Sequence, residues 1–195
     1  MQICFKYMNY LIFSKNKGFT LIELIVVMAI ASVIMTALVI QQSNWNDSLI
    51  VNTQTYEMAL MIRQAQVYSL GVREYTAGTG DKFNIGYGVY FDSNPTQYIF
   101  FADKNGNKNY DSGEGVETKT LNRGVTISKL CGSMPENCSG LSSVNVLFLR
   151  PEPKANISFN PATGFTPPAT IYLQSPGGKV GILKIEANGQ VSVTQ

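Results

Sequence analysis

Apolar side chains are massed at one end of the chain and alternate along the rest. From Phe19 to Ile40 the sequence is apolar over 22 residues, with Glu23 the single ionisable member. About 20 such residues cross a ~30 Å hydrocarbon layer as a helix. Beyond Ile40 the apolar positions thin out without stopping. Leu49, Thr53, Tyr56, Leu60, Val67 and Leu70 recur at three- and four-residue steps, with Arg63, Gln64 and Gln66 between them, which predicts an amphipathic helix packing that stripe on a sheet. No proline or glycine interrupts residues 19 to 70, and Gly71 is a natural stop. One helix over 19–70 fits this pattern; two helices broken near Gln41 to Asn46 also fit.

From Phe83 onward the period changes to two. "IGYGVYF" (85–91), "QYIFFA" (97–102), "VTISKL" (125–130), "VNVLFL" (144–149), "TIYLQS" (170–175), "GILKIEA" (181–187) and "QVSVT" (190–194) are β-branched or aromatic runs between Gly, Asn and Pro. The last two flank Asn188-Gly189, a hairpin signal. Residues 151–168 read as a loop around one short strand at Ile157 to Phe159. A helix followed by strands gives an α+β plan, a long N-terminal helix packed on a C-terminal antiparallel β-sheet domain. The expected division is 1–18, 19–40, 41–71 and a β-rich domain over 72–195.

Composition sharpens the compartment. Charged residues make up 14% of the chain, below the roughly 25% usual for soluble domains, as suits a protein outside the cytoplasm. Lys6, Lys15 and Lys17 precede the apolar run with no acid among residues 1–18, which leaves 12 basic and 13 acidic residues beyond. A basic segment ahead of an apolar one keeps its own end in the cytoplasm and sends the remainder across the inner membrane. Of the three cysteines, Cys4 lies in the leading segment. Cys131 and Cys138 enclose six residues, and a disulfide between them is favoured over two free thiols.

The N-terminal stretch admits three readings. A secretory signal would be cut after Ala29-Ile30-Ala31, yet its core would contain Glu23 and apolar sequence would continue past the cut. A plain anchor is long enough but leaves Glu23 unexplained. In the third, "KGFTLIELIVVMAI" (17–30) resembles the processing site of type IV prepilins and type II secretion pseudopilins. The resemblance implies cleavage between Gly18 and Phe19 by prepilin peptidase, methylation of the new Phe19 amine, an 18-residue leader, and assembly with other pilin or pseudopilin subunits through the retained helix. It also gives Glu23 a partner, the Phe19 ammonium, within one chain or between neighbours; each charge alone is expensive in hydrocarbon. The leader is long for this family, and Met8 would serve as an alternative start. No proline occurs before Pro95, unlike many major pilins, which points to a minor subunit. Further on, "IRQAQVYSLGVRE" (62–74), "ISFNPATGF" (157–165) and the closing "ILKIEANGQVSV" (182–193) resemble the pseudopilin H and FimT-like minor pilin group.

One loop carries candidate metal chemistry. "DKNGNKNYDSGE" (103–114) places Asp103, Asn105, Asn107, the Asn109 carbonyl, Asp111 and Glu114 in the oxygen-ligand order expected for Ca²⁺. Its sixth place, normally Gly, is Lys108, and its flanks are strands, so an EF-hand proper is excluded; a polar hairpin loop shaped by Asn, Asp and Gly is the alternative. Enzymatic chemistry is not signalled. The chain has no His, which removes the commonest general base. Gly78-Thr79-Gly80 and Gly86-Tyr87-Gly88 lack the setting of a phosphate loop, and Glu114 with Glu117 does not make an acid and base pair by spacing alone. No small-molecule substrate is implied. The tail after Lys184 has no basic residue, so capture of nucleic acid is not supported there. Besides the assembling subunit, a membrane-anchored or secreted calcium-stabilised β-domain acting as a binding module fits the sequence.

Overall fold

The computed structural model describes residues 18–71, 85–92, 96–133 and 135–194. The leader through Lys17, Cys4, and residues 72–84 of the expected β-rich domain, Gly78-Thr79-Gly80 among them, lie outside the described residues. Among the described residues one helix, α1 (Leu21–Leu70), precedes nine strands: β1 (Gly86–Asp92), β2 (Gln97–Asp103), β3 (Gly115–Thr120), β4 (Thr126–Cys131), β5 (Ser143–Leu149), β6 (Glu152–Asn160), β7 (Ala169–Gln174), β8 (Val180–Ile185) and β9 (Val191–Thr194). The fold is α+β, as the change of period predicts. The chain divides into two compact units, Met1–Gln42 and Ser43–Gln195.

In the first unit, Leu21–Val39 is long and apolar enough to cross a membrane. Its hydroxyls turn back onto the helix. Ser32 Oγ donates to the Ala29 carbonyl at 2.8 Å and Thr36 Oγ1 to the Ser32 carbonyl at 2.8 Å, which satisfies polar groups inside the segment, as hydrocarbon demands.

In the second unit the expected single sheet is two antiparallel sheets. One has the order β3-β2-β1-β5-β6 and the other β4-β7-β8-β9. Register explains the first sheet's inner face: Val89 pairs with Phe100 and Val146, and Phe91 pairs with Tyr98 and Val144. These join Ile171, Leu173, Leu183 and Ile185 of the second sheet and the buried stripe of α1 in one core. Tyr68 of α1 meets Tyr87 and Phe100 edge-on at 5.6 and 5.7 Å.

That stripe is a correction to the sequence reading. The domain half of α1 buries Val51, Thr55, Met58, Ile62, Ala65 and Ser69, whereas the expected stripe of Leu49, Thr53, Tyr56, Leu60, Val67 and Leu70 is exposed. The buried positions are smaller on average, and the approach is close. A Cβ at Gly181 of β8 would collide with Thr55 Oγ1, and Ser69 Oγ accepts the Tyr87 backbone N–H at 2.9 Å.

Two strands were not legible as such. β3, "GVETKT", is exposed along most of its length because it is an edge strand, and charges on an edge block further pairing. β6 has nine residues where three were expected. Its Pro153 is tolerated because β6 is the opposite edge of the sheet. The β8–β9 hairpin is present, with Gly189 at φ 87° and its N–H donated to the Glu186 carbonyl at 2.9 Å. Asn188 is not among the positive-φ residues, so the turn is a three-residue loop ending on a left-handed glycine instead of the two-residue mirror-image type.

Candidate functional site

At the helix start the chemistry is local. Gly18 and Phe19 precede α1 as exposed, non-helical chain, and nothing lies within 4 Å of where a Gly18 Cβ would stand. Gly18 and Phe19 are therefore exposed where the chain enters the helix. Helix begins two residues later than the sequence expectation, because Thr20 and Glu23 close a capping box. The Thr20 backbone N–H donates to Glu23 Oε2 at 2.9 Å, the Thr20 hydroxyl donates to the same oxygen at 2.8 Å, and the Glu23 N–H reaches Thr20 Oγ1 at 3.3 Å. Two N–H groups that the first turn leaves without helical partners are satisfied reciprocally. Thr20 is the residue the sequence reading missed, and the Thr-x-x-Glu spacing ahead of an apolar run was its signal.

The 103–114 segment joins β2 to β3 and folds back over the outer face of the first sheet. Tyr110 anchors it: its ring lies 4.7 Å from Tyr90 and 5.5 Å from Phe101, and its N–H donates to Asn145 Oδ1 at 3.1 Å. Ser158 of β6 donates to Asn109 Oδ1 at 2.7 Å. Phe101, against the Tyr110 ring, is fully buried. Gly88 makes the room, since a Cβ there would stand 2.8 Å from the Phe101 ring. Gly86 and Gly88 are thus strand glycines of β1, as expected.

The six expected ligand residues all lie on this strap. Asp103 and Glu114 are buried, and both oxygens of each carboxylate accept backbone N–H groups: Gly106 and Lys108 on Asp103 at 2.8 and 2.9 Å, Lys104 and Asp111 on Glu114 at 2.9 and 3.0 Å. Buried charge is stable only when so solvated. The exposed Asp111 Oδ2 accepts the side-chain amides of Asn105 and Asn107 at 2.7 and 2.6 Å. Lys108, in the sixth place, has φ 67°, the left-handed turn that a glycine there would supply. Among the described residues, the group of three His, Cys, Asp or Glu ligand atoms within 4.8 Å of one another is Cys131, Glu136 and Cys138, and the two sulfurs are joined to each other. Asp103, Asp111 and Glu114 do not converge to that degree. Glu117 stands apart from Glu114, paired with Lys119 at 2.6 Å.

The Cys131–Cys138 disulfide is present. It closes a small ring that the paired N–H and C=O groups of Gly132 and Asn137 also hold, at 2.9 and 2.8 Å. The Tyr172 hydroxyl donates to Glu136 Oε2 at 2.7 Å, and this bond, with burial, raises the tyrosine's pKa. A groove of about 440 Å³ lies between α1 and the β2–β3 edge, bordered by Glu57, Leu60, Tyr98 and Glu117. Burial, and then the two carboxylates, push the Tyr98 hydroxyl up to about 12.

The family model described as the prokaryotic N-terminal methylation motif matches residues 13–39. This supports a type IV pilin-like protein. The match covers Gly18, Phe19, the capping box and the whole apolar segment, and it implies processing by prepilin peptidase and assembly with other pilins. It favours a structural subunit over an enzyme, and it is consistent with a membrane anchor at the apolar helix. No curated protein and no solved structure matches the chain.

Proposed function

We propose that the chain is a minor pilin or pseudopilin, within the pseudopilin H and FimT-like group, and a structural subunit without a small-molecule substrate. Prepilin peptidase cuts between Gly18 and Phe19 and the new amine is methylated. The product sits in the inner membrane as a single-pass protein with its β-domain outside the cytoplasm, then enters a type IV pilus or a type II secretion pseudopilus through its helix. The methylation motif over residues 13–39 carries this reading, and two features agree with it. The Gly18–Phe19 peptide lies immediately outside the capped helix, and Glu23 sits in the first turn, where its Oε2 serves the cap close in sequence to the Phe19 amine that cleavage would create.

Mass spectrometry of the mature N-terminus tests it. A chain beginning at methylated Phe19 is expected. A start at an unmodified Ser32 would sink the proposal, and an intact leader would reduce the protein to a simple anchor.

A second reading, a calcium-stabilised β-domain that binds without assembling, has one specific observation in its favour. Lys108 adopts the left-handed conformation at the place where its side chain raised an objection from sequence. Asp103, Asn105, Asn107, Asn109, Asp111 and Glu114 would hold the ion: the carboxylate oxygens of Asp103 and Glu114 and the amide oxygens of Asn105 and Asn107 each accept one N–H and keep a second lone pair, whereas Asp111 Oδ2 already accepts two amides, so that Asp111 would turn its other oxygen to the ion. Calcium would add cross-links to the strap. Removing millimolar calcium with chelator is then expected to lower the thermal unfolding midpoint, and Glu114→Gln to abolish that difference; an unchanged midpoint disposes of the site.

A further inference from the structure

The groove between α1 and the β2–β3 edge contains a polar group without a partner. Tyr98 is 4% exposed and lines the groove, yet its hydroxyl makes no hydrogen bond among the described residues. A buried tyrosine hydroxyl ordinarily finds one. Among the described residues no enclosed side-chain polar atom is left unsatisfied, so this hydroxyl touches open space, and the groove is the space that Tyr98 lines.

The groove's two walls follow from the two periods of the chain. On α1, Glu57, Leu60 and Met61 fall on one side at steps of three and four. On the sheet, Tyr98 pairs with Lys119 and Phe100 with Glu117, and residues directly opposite on neighbouring strands share a face. The edge strand therefore turns Glu117 and Lys119 to the side that Tyr98 takes. Those two pair with each other at 2.6 Å, half-exposed, which is a weak bond. Glu57 Oε2 accepts the Gln54 amide at 2.9 Å and has no cation beside it among the described residues, so one negative charge is left over. The groove thus offers two carboxylates, a phenol oxygen and the apolar flank of Leu60 and Met61. A hydrated metal ion would leave that flank unused, whereas a cation on an aliphatic stem covers it. A guanidinium is a planar fork of donors that can serve both walls and the phenol together; an ammonium is a compact point charge.

We propose that this groove binds an arginine side chain presented by a partner protein, with the guanidinium between Glu57, Glu117 and the Tyr98 oxygen and the stem along Leu60 and Met61. The site uses no residue of the processing motif or of the 103–114 strap.

NMR titration of the full-length protein in detergent micelles, labelled on its methionine methyls, tests this with N-acetyl-arginine amide as the probe. The Met61 methyl signal, assigned with Met61→Leu, is expected to shift saturably, and the neutral isostere N-acetyl-citrulline amide to leave it in place. Glu57→Gln can still accept the Gln54 amide, and it should weaken the response about tenfold, the scale of a charge-assisted hydrogen bond. Tyr98→Phe should weaken it about threefold without lowering the thermal unfolding midpoint, because no existing hydrogen bond is lost. Equal shifts from the arginine and citrulline probes, unchanged affinity in Glu57→Gln, or equal affinity for N-acetyl-lysine amide overturns the proposal. Two further results also overturn it. Much tighter binding of free arginine than of the capped probe would make the ligand a small molecule, and a Met61 shift on raising protein concentration alone would make it a second copy.

Discussion

Glu23 has two roles that one substitution cannot separate. Its carboxylate caps the helix through Thr20, and in the proposed function it also meets the Phe19 ammonium. Losing a capping partner costs about 1 kcal/mol, a small change in a helix of 50 residues. Thr20→Ala removes the hydroxyl half of the box and leaves the carboxylate, whereas Glu23→Ala removes both functions. With charge pairing, Thr20→Ala is expected to enter fibres nearly as well as the parent chain, and Glu23→Ala to fall at least tenfold in sheared fibre fractions at equal membrane abundance. Equal losses for the two variants would reduce Glu23 to a cap. Lys108 shows the reverse limit on sequence reasoning. A residue that argued against a turn adopts the turn anyway, because its N–H is captured by the buried Asp103 carboxylate at 2.9 Å.

The strap from Asp103 to Glu114 owes its position to Tyr110. The polar composition of the segment announces a turn-rich loop, and the loop joins β2 to β3. What composition could not announce is that the loop's tyrosine covers Phe101 on the sheet face turned away from the core. Tyr110→Ala is expected to lower unfolding free energy by about 2 to 4 kcal/mol, since it deletes the large ring and the Tyr90 and Phe101 pairs together. Denaturant unfolding measures this, and a change below about 0.5 kcal/mol would mean that the strap is held by its hydrogen bonds alone. Edge strands were the other illegible elements. β3 and β6 lie at the two margins of one sheet, where solvent permits Glu117, Lys119 and Pro153, so the alternation that reveals a half-buried strand is weak in both.

At the scale of the molecule, the chain combines an apolar segment, Leu21–Val39, with a two-sheet domain that covers one side of its share of α1. The segment, the α+β order, seven of the nine strands among the described residues and the Cys131–Cys138 pair follow from sequence alone. Each depends on local composition or short spacing: a run long enough for a bilayer, a period of two, a six-residue ring. Which face of α1 enters the core does not follow, because two seams with the same alternation run along the helix and both carry apolar residues. Only the tertiary structure decides between them. The sheets come close enough at Gly181 and Tyr87 to need Thr55 and Ser69 there, and a surface bearing Tyr56, Leu60 and Arg63 could not approach so near. The bulkier seam is left outside.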